Sequence, residues 1–295
     1  MGRDVLINFV SKNKMINGYF AIVTHTARML QQGHDMNIVS SAIFCRALAG
    51  AVLLSGNIKN NGDVLSLRWN CTGPIQTIYV EVTGDGNARG YVGDRGLAPI
   101  ESSITGEGIS SAPYIELGEL IVERRPDNRN VPVESIRTPY QSTVLLEKGE
   151  IAEDISVYLR RSLQIDSAIN IGLSIDGGNR IEVCGGLLLM AMPGSTEDDI
   201  KTIFSAFSSI SSFTDILKAY DADIGNTESF LEGLDIEIDS VREINFKCDC
   251  NEDKVFNTLK AMPGDEIKNL TWKNDKIKAK CIYCGKSYVF SPEIF

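Results

Sequence analysis

Residues 63–92 read DVLSLRWNCTGPIQTIYVEVTGDGNARGYV, and this stretch decides the fold. Val64, Leu65, Leu67 and Trp69 lie in one run and Ile78, Val80 and Val82 in the next, with CTGP between them. Apolar residues recur at every second position, and β-branched and aromatic types dominate, as in half-buried strands. TGDGN supplies a hairpin turn at 84–87, and ARGYV returns as a third strand. The stretch therefore predicts an antiparallel meander.

Working outward, residues 36–55, MNIVSSAIFCRALAGAVLLS, are apolar on most faces and predict a buried helix ended by Gly56. From 106 to 137 Gly, Pro and Arg punctuate short strands such as GELIVERR. In 150–164, EIAEDISVYLRRSLQ, helical spacing puts Ile151, Ile155, Tyr158 and Leu159 on one face. INIGLSI alternates again at Ile169, Ile171, Leu173 and Ile175, and EVCGGLLLMAMPG is a near-continuous apolar strand that stops at Pro193 and Gly194. Strands clustered around a few helices, without regular βαβ alternation, predict an α+β fold with an antiparallel-sheet core.

Beyond Pro193 the composition shifts. Ser195, Thr196, Glu197 and Asp198 resemble a helix N-cap with an acidic first turn. DDIKTIFSAFSSISSFTDILKAY then carries Ile200, Ile203, Phe204, Phe207, Ile210 and Leu217 on a Ser/Thr background. Residues 221–243 hold eight Asp or Glu and a single Arg. The expected division is a core over 1–193, a weakly packed helical connector over 194–235, and a small terminal module over 236–295.

That module gathers four of the seven cysteines, as Cys248-Asp-Cys250 and Cys281-Ile-Tyr-Cys284. Four soft thiolates on two short knuckles suit tetrahedral Zn²⁺ and close its coordination sphere. About sixty residues bury little apolar area, so a metal staple fits the module's needs. One Zn²⁺ per chain is the expected cofactor. A Cys-x-Cys spacing is tighter than the usual ribbon knuckle, and a disulfide across it closes a strained, reducible ring. Lys247, Lys280 and Lys286 flank the ligands. On residue chemistry alone, a static zinc ribbon and a redox switch stand level.

The chain has 295 residues, 43% hydrophobic and 23% charged, so disorder throughout is not expected. A formal charge of −10 argues against a nucleic-acid backbone as the main partner. The N-terminus lacks the apolar stretch of a signal peptide, and no long uninterrupted apolar run predicts a membrane span. The expected compartment is a reducing cytoplasm, where paired cysteines bind metal or do redox work more often than they staple folds.

The blocks RALAGAVLLSGNIKNNGDVLSLRWNCTGPIQTIYVEVTGDGNARGYV, YQSTVLLEKGEIAEDISVYLRRSLQIDSAINIGLSI and GGLLLMAMPG, followed by C-x-C and C-x-x-C, resemble the redox-regulated 33-kDa chaperonin family in order and spacing. RRSLQIDS, where a Ser-Glu-Gln-like sequence is usual, and Met190, where Gln is usual, depart from it. The resemblance implies an ATP-independent stress-response holdase, not an enzyme. It implies zinc on Cys248, Cys250, Cys281 and Cys284 in an inactive reduced state. Peroxide or hypochlorite would then form Cys248–Cys250 and Cys281–Cys284 disulfides and release the metal. The module and connector would unfold, clients would bind through a face including Ile203, Phe204, Phe207 and Ile210, and a homodimer would form.

Other residues read more plainly. Cys45, Cys71 and Cys184 sit in apolar elements and are expected to be packing residues. His25 and His34 have no nucleophile motif beside them. GDGNARG lacks the G-x-G-x-x-G order and joins strands. A thiol oxidoreductase needs its C-x-x-C at a helix start, whereas Cys284 leads through Gly285 into KSYVF. A nucleic-acid-binding zinc ribbon survives only on the lysines and Trp272 of the 254–280 loop.

Overall fold

The predicted meander forms as β3 (Val64–Cys71), β4 (Thr77–Thr83) and β5 (Asn87–Val92), paired antiparallel in sequence order. Leu65, Leu67, Trp69, Ile78, Val80, Val82, Ala88 and Val92 all point inward and are buried. Gly86 takes the left-handed conformation in the turn (φ +87°), and the Asn87 N–H donates to Thr83 Oγ1 at 3.1 Å. β8 (Gly118–Arg125) and β9 (Tyr140–Leu145) extend the sheet beyond β3. The structure is a computed structural model that describes residues 3–105, 108–129, 131–208, 212–222, 236–262, 272–273 and 276–291.

A second sheet contains β1 (Val5–Ser11), β2 (Ile16–Ile22), β10 (Ser167–Ile175), β11 (Ile181–Ala191) and β12 (Ile236–Glu243), all antiparallel, in the order β10-β11-β2-β1-β12. Helix α2 (Ile38–Ser55) packs on strands of both sheets. Its length and composition would suit a membrane span, but 89% of it is buried inside the fold, which makes it the core helix. Asn37 caps it, accepting from the Ser40 N–H at 3.0 Å. Helix α4 (Ile151–Ser162) buries the four residues read from its periodicity, and Ile155 sits against Gly50 of α2. Of the two departures from the family pattern, Met190 is buried in β11, and Gln164 turns the chain after α4 with φ +56°.

The connector starts as expected. Thr196 and Asp199 form a reciprocal cap on α5 (Glu197–Ser208), with the Thr196 N–H donating to the Asp199 carboxylate at 2.8 Å. Ile203, Phe204 and Phe207 lie on the α5 backbone, but their side chains, and Ile210 altogether, fall outside the described residues. Helix α6 (Phe213–Ala222) carries the docking that is visible. Phe213, Leu217 and Tyr220 are buried against the five-stranded sheet, and Phe20 meets Tyr220 edge-on at 5.1 Å. Leu217 drops over Gly172 and Gly185, a cross-strand pair with no side chains to fill the space.

The expected boundary at 236 does not follow the sheet pairing. Residues 236–243 form β12 on β1, and β13 (Asn245–Phe246) runs parallel to β5 in the six-stranded sheet. Ile244 between them is buried in the core. The small unit therefore separates only after Lys247, whose N–H reaches Ala88 O at 3.4 Å. It comprises α7 (Glu252–Lys260) and a three-stranded sheet of β14 (Trp272–Lys273), β15 (Lys276–Lys280) and β16 (Ser287–Phe290). Among the described residues, Leu259, Ile277, Tyr288 and Phe290 are its buried apolar side chains, a small core for independent stability.

Candidate metal centre

The first knuckle follows β13 directly, and Asn251 beyond it caps α7 by accepting from the Lys254 N–H at 2.8 Å. The second links β15 to β16. Gly285 turns it with φ +73°, its N–H bonding Cys281 O at 3.0 Å while the Cys281 N–H bonds Lys286 O at 2.8 Å. Cys248, Cys250, Cys281 and Cys284 are brought together, with all four sulfurs within 4.8 Å of one another. Cys248 and Cys281 Sγ are 3.7 Å apart, and Cys250 and Cys284 Sγ are 3.3 Å apart. A sulfur tetrahedron with Zn–S of about 2.3 Å has edges of about 3.8 Å, so the cage suits such an ion. Among the described residues, no histidine or carboxylate belongs to the group.

Electrostatics distinguish the four thiols. Burial raises the Cys250 pKa, but hydrogen bonds from the Tyr288 hydroxyl (3.1 Å) and the other three cysteines outweigh it, and the net value falls to about 7. Cys248 and Cys284 are pushed up, first by burial and then by hydrogen bonding to the Cys250 and Cys281 thiols. A cation at the centre favours the thiolate form of all four. By contrast, burial pushes Cys45 and Cys71 up to about 12, and Cys184 well above its ordinary value. Those three thiols stay protonated, consistent with packing roles.

Sequence reasoning missed how the second knuckle is seated. Its tip residue, Tyr283, rests on the outer face of the six-stranded sheet, 5.7 Å from the Tyr91 ring and 6.2 Å from Tyr79. The Arg89 guanidinium carbon lies 4.3 Å from the Tyr283 ring centroid. Arg89 is held by the buried Glu81 carboxylate at 2.6 Å. On the other side, His34 ends α1 (Thr24–His34), and its Nε2 donates to Tyr283 O at 2.8 Å. Burial lowers the His34 pKa, and donation to a carbonyl oxygen places a proton on Nε2. Gly33 and Gly285 meet backbone to backbone: a Cβ on Gly285 would lie 1.7 Å from Gly33 O. The signal in the sequence was the outward-facing half of the meander, where Tyr79, Glu81, Arg89 and Tyr91 alternate with the apolar positions.

Fold and site define a class: an α+β core bearing a tetrathiol unit clamped to one of its sheets. A family model described as Hsp33 protein matches residues 4–291, and the chain belongs to the Hsp33 family. A relative named 33 kDa chaperonin from Thermus thermophilus is 30% identical over 88% of this chain and 76% of its own length. One of the same name from Synechococcus is 28% identical over 98% of this chain and 88% of its own. The crystal structure of the 33 kDa chaperonin (heat shock protein 33 homolog) from Thermotoga maritima aligns with a TM-score of 0.83 at 24% identity. That alignment covers 99% of this chain and 96% of the other. Family membership supports a chaperone role.

Proposed function

We propose that this chain is a redox-regulated, ATP-independent holdase of the cytoplasm, inactive with zinc on Cys248, Cys250, Cys281 and Cys284 and activated by oxidative stress. The observation that carries the reading is the sulfur cage itself, built from two knuckles of which one is seated on the core. Zinc held there keeps the sulfurs as thiolates and ties the knuckles together. In each knuckle one thiolate attacks a peroxide oxygen, and its partner closes the disulfide. Two electrons leave each pair of thiolates, and each peroxide takes up two protons and departs as two waters. Cys248–Cys250 and Cys281–Cys284 are the pairs proposed, as the family resemblance implies.

Sulfurs bonded to each other no longer serve as ligands, and the four apolar side chains buried among the described residues of the unit are a weak substitute. The unit opens, Tyr283 leaves its seat, and β12 and the connector lose an anchor. Apolar surface uncovered in this way binds unfolding proteins. Ile203, Phe204, Phe207 and Ile210 are proposed to contribute to it, and homodimers to form in the oxidised state. The test is aggregation of a heat-denatured client, without ATP, in the presence of reduced or peroxide-treated protein. Suppression by the treated form alone is expected, whereas equal suppression by both forms removes the redox reading.

A further inference from the structure

The seat beneath Tyr283 has chemistry of its own. Strand register sets Arg68 opposite Tyr79, and Tyr79 opposite Tyr91, in one row across the outer face of the sheet. Tyr79 and Tyr91 stack at 5.3 Å with an interplanar angle of 28°, and Arg68 lies 5.2 Å over Tyr79. The row borders a cavity of about 790 Å³ lined by Arg68, Tyr79, Glu81, Arg89, Arg125 and Tyr283. Glu81 neutralises part of this positive charge, pairing with Arg89 and Arg125 and accepting from the Tyr79 hydroxyl at 2.7 Å. Asp127 also lines the cavity and pairs with Arg129, which leaves around the row two aromatic rings and guanidinium groups, an arrangement that holds a further aromatic ring better than an aliphatic side chain of the same bulk.

The structure shows such a ring in place, and it belongs to the same chain. We propose that the Arg68–Tyr79–Tyr91 row is a client-binding seat for aromatic side chains, which Tyr283 fills as a built-in surrogate while the knuckle is docked. Tyr283 meets Tyr91 edge-on (72°) and Arg89 through its face, the geometry an incoming Tyr, Phe or Trp would reuse. Folded proteins keep most of their aromatic surface buried, so an aromatic ring free to enter marks an unfolding chain. The proposal rests on the holdase reading and adds a chemical preference among clients. It also explains why the surrogate stands next to Cys284, since losing the sulfur cage and vacating the seat then become one event.

The experiment uses full-length protein, oxidised with peroxide until its thiols are consumed, and a short labelled unstructured peptide containing tyrosines. The control peptide has leucine in their place. Fluorescence anisotropy is expected to show the tyrosine peptide binding about tenfold more tightly to oxidised protein, with the preference absent from the reduced form. Tyr91→Leu should abolish the preference in the oxidised form, and Tyr283→Leu should let the tyrosine peptide bind the reduced, metal-loaded form. Should Tyr91→Leu fail to fold by its melting curve, Arg68→Gln, at an exposed position, must reduce the preference instead. Equal affinity for both peptides, or a preference unaltered by these substitutions, overturns the seat. So does a Tyr91→Leu change confined to self-association, which would assign the row to a second copy of the chain. Client protection with equal peptide affinities removes the seat and leaves the holdase reading standing, whereas a tyrosine preference without client protection does the reverse.

Discussion

Gly33→Val tests the docking of the knuckle without replacing a metal ligand. A Cβ at position 33 would lie 2.9 Å from Cys284 O, closer than real Cβ contacts, and valine adds two methyl groups to that collision. The substitution sits in the last turn of α1, where replacing glycine by valine gains a few tenths of a kcal/mol in helix propensity. The core should therefore fold normally. What the variant loses is the seat. The His34–Tyr283 hydrogen bond contributes about 1 kcal/mol, the Arg89–Tyr283 contact about 0.5–1 kcal/mol, and the two ring contacts about 0.5–1.5 kcal/mol each. The sum is about 2.5–5 kcal/mol, equivalent to a shift of roughly a hundredfold or more toward the undocked state. Amide hydrogen exchange over 248–262 and 276–291 in reduced, zinc-loaded protein reads this directly, because opening from an undocked unit no longer carries the docking free energy. Protection should fall about a hundredfold or more with zinc content unchanged, and the variant should protect a client at lower peroxide exposure. Protection within about threefold of wild type would refute the seat as the element that couples the unit to the core.

Three further outcomes are expected. Gly172→Val fills the pit that Leu217 occupies and should displace α6, losing about 3–6 kcal/mol of side-chain burial from Leu217 and Phe213; exchange over 213–222 should rise while the main melting transition of the core persists. Asp154, wholly buried in α4, has its carboxyl pushed from 3.8 up to about 7, first by burial and then by Glu150 and Glu153, against the opposing Trp69 indole. Because the folded value lies above the unfolded one, its contribution is full below about pH 4 and is lost as pH rises to about 7, by up to about 4 kcal/mol. Asp154→Asn should flatten that pH dependence and stabilise the protein at pH 8 by about 1–3 kcal/mol, read from denaturant midpoints; an unchanged profile contradicts the assignment. Metal analysis of Cys281→Ser/Cys284→Ser should show zinc largely lost, and retention at the wild-type level would remove these ligands.

Much of the fold was legible where one period dominated. Residues 64–92 alternate cleanly because one face of their sheet is buried and the other is not, and α4 shows its apolar stripe for the same reason. The hairpin of β1 and β2 was not read, since both strands are buried nearly throughout and lose the alternation. The Asn17-Gly18 pair, a common hairpin signal, lies inside β2, while Lys14 makes the turn with φ +59°. β12 escaped because its side chains are mostly exposed, with Glu237, Asp239 and Glu243 interrupting the apolar pattern, and backbone pairing to β1 carries no local signature. The sulfur cage was legible from spacing, because metal ligands in knuckles are close in sequence. Its seat was not: Gly33, His34, Tyr79, Arg89 and Tyr283 come from four separate elements, and only the folded chain brings them together.

The central claim is that losing the sulfur cage, opening the terminal unit and gaining holdase activity are one event. Peroxide-treated protein should be sampled through the reaction for zinc passed to a chromogenic chelator, for free thiols, and for suppression of client light scattering. The account predicts that about one zinc appears as four thiols disappear, and that protection of the client rises with the same time course. Full protection while zinc and the four thiols of Cys248, Cys250, Cys281 and Cys284 remain in place would contradict it.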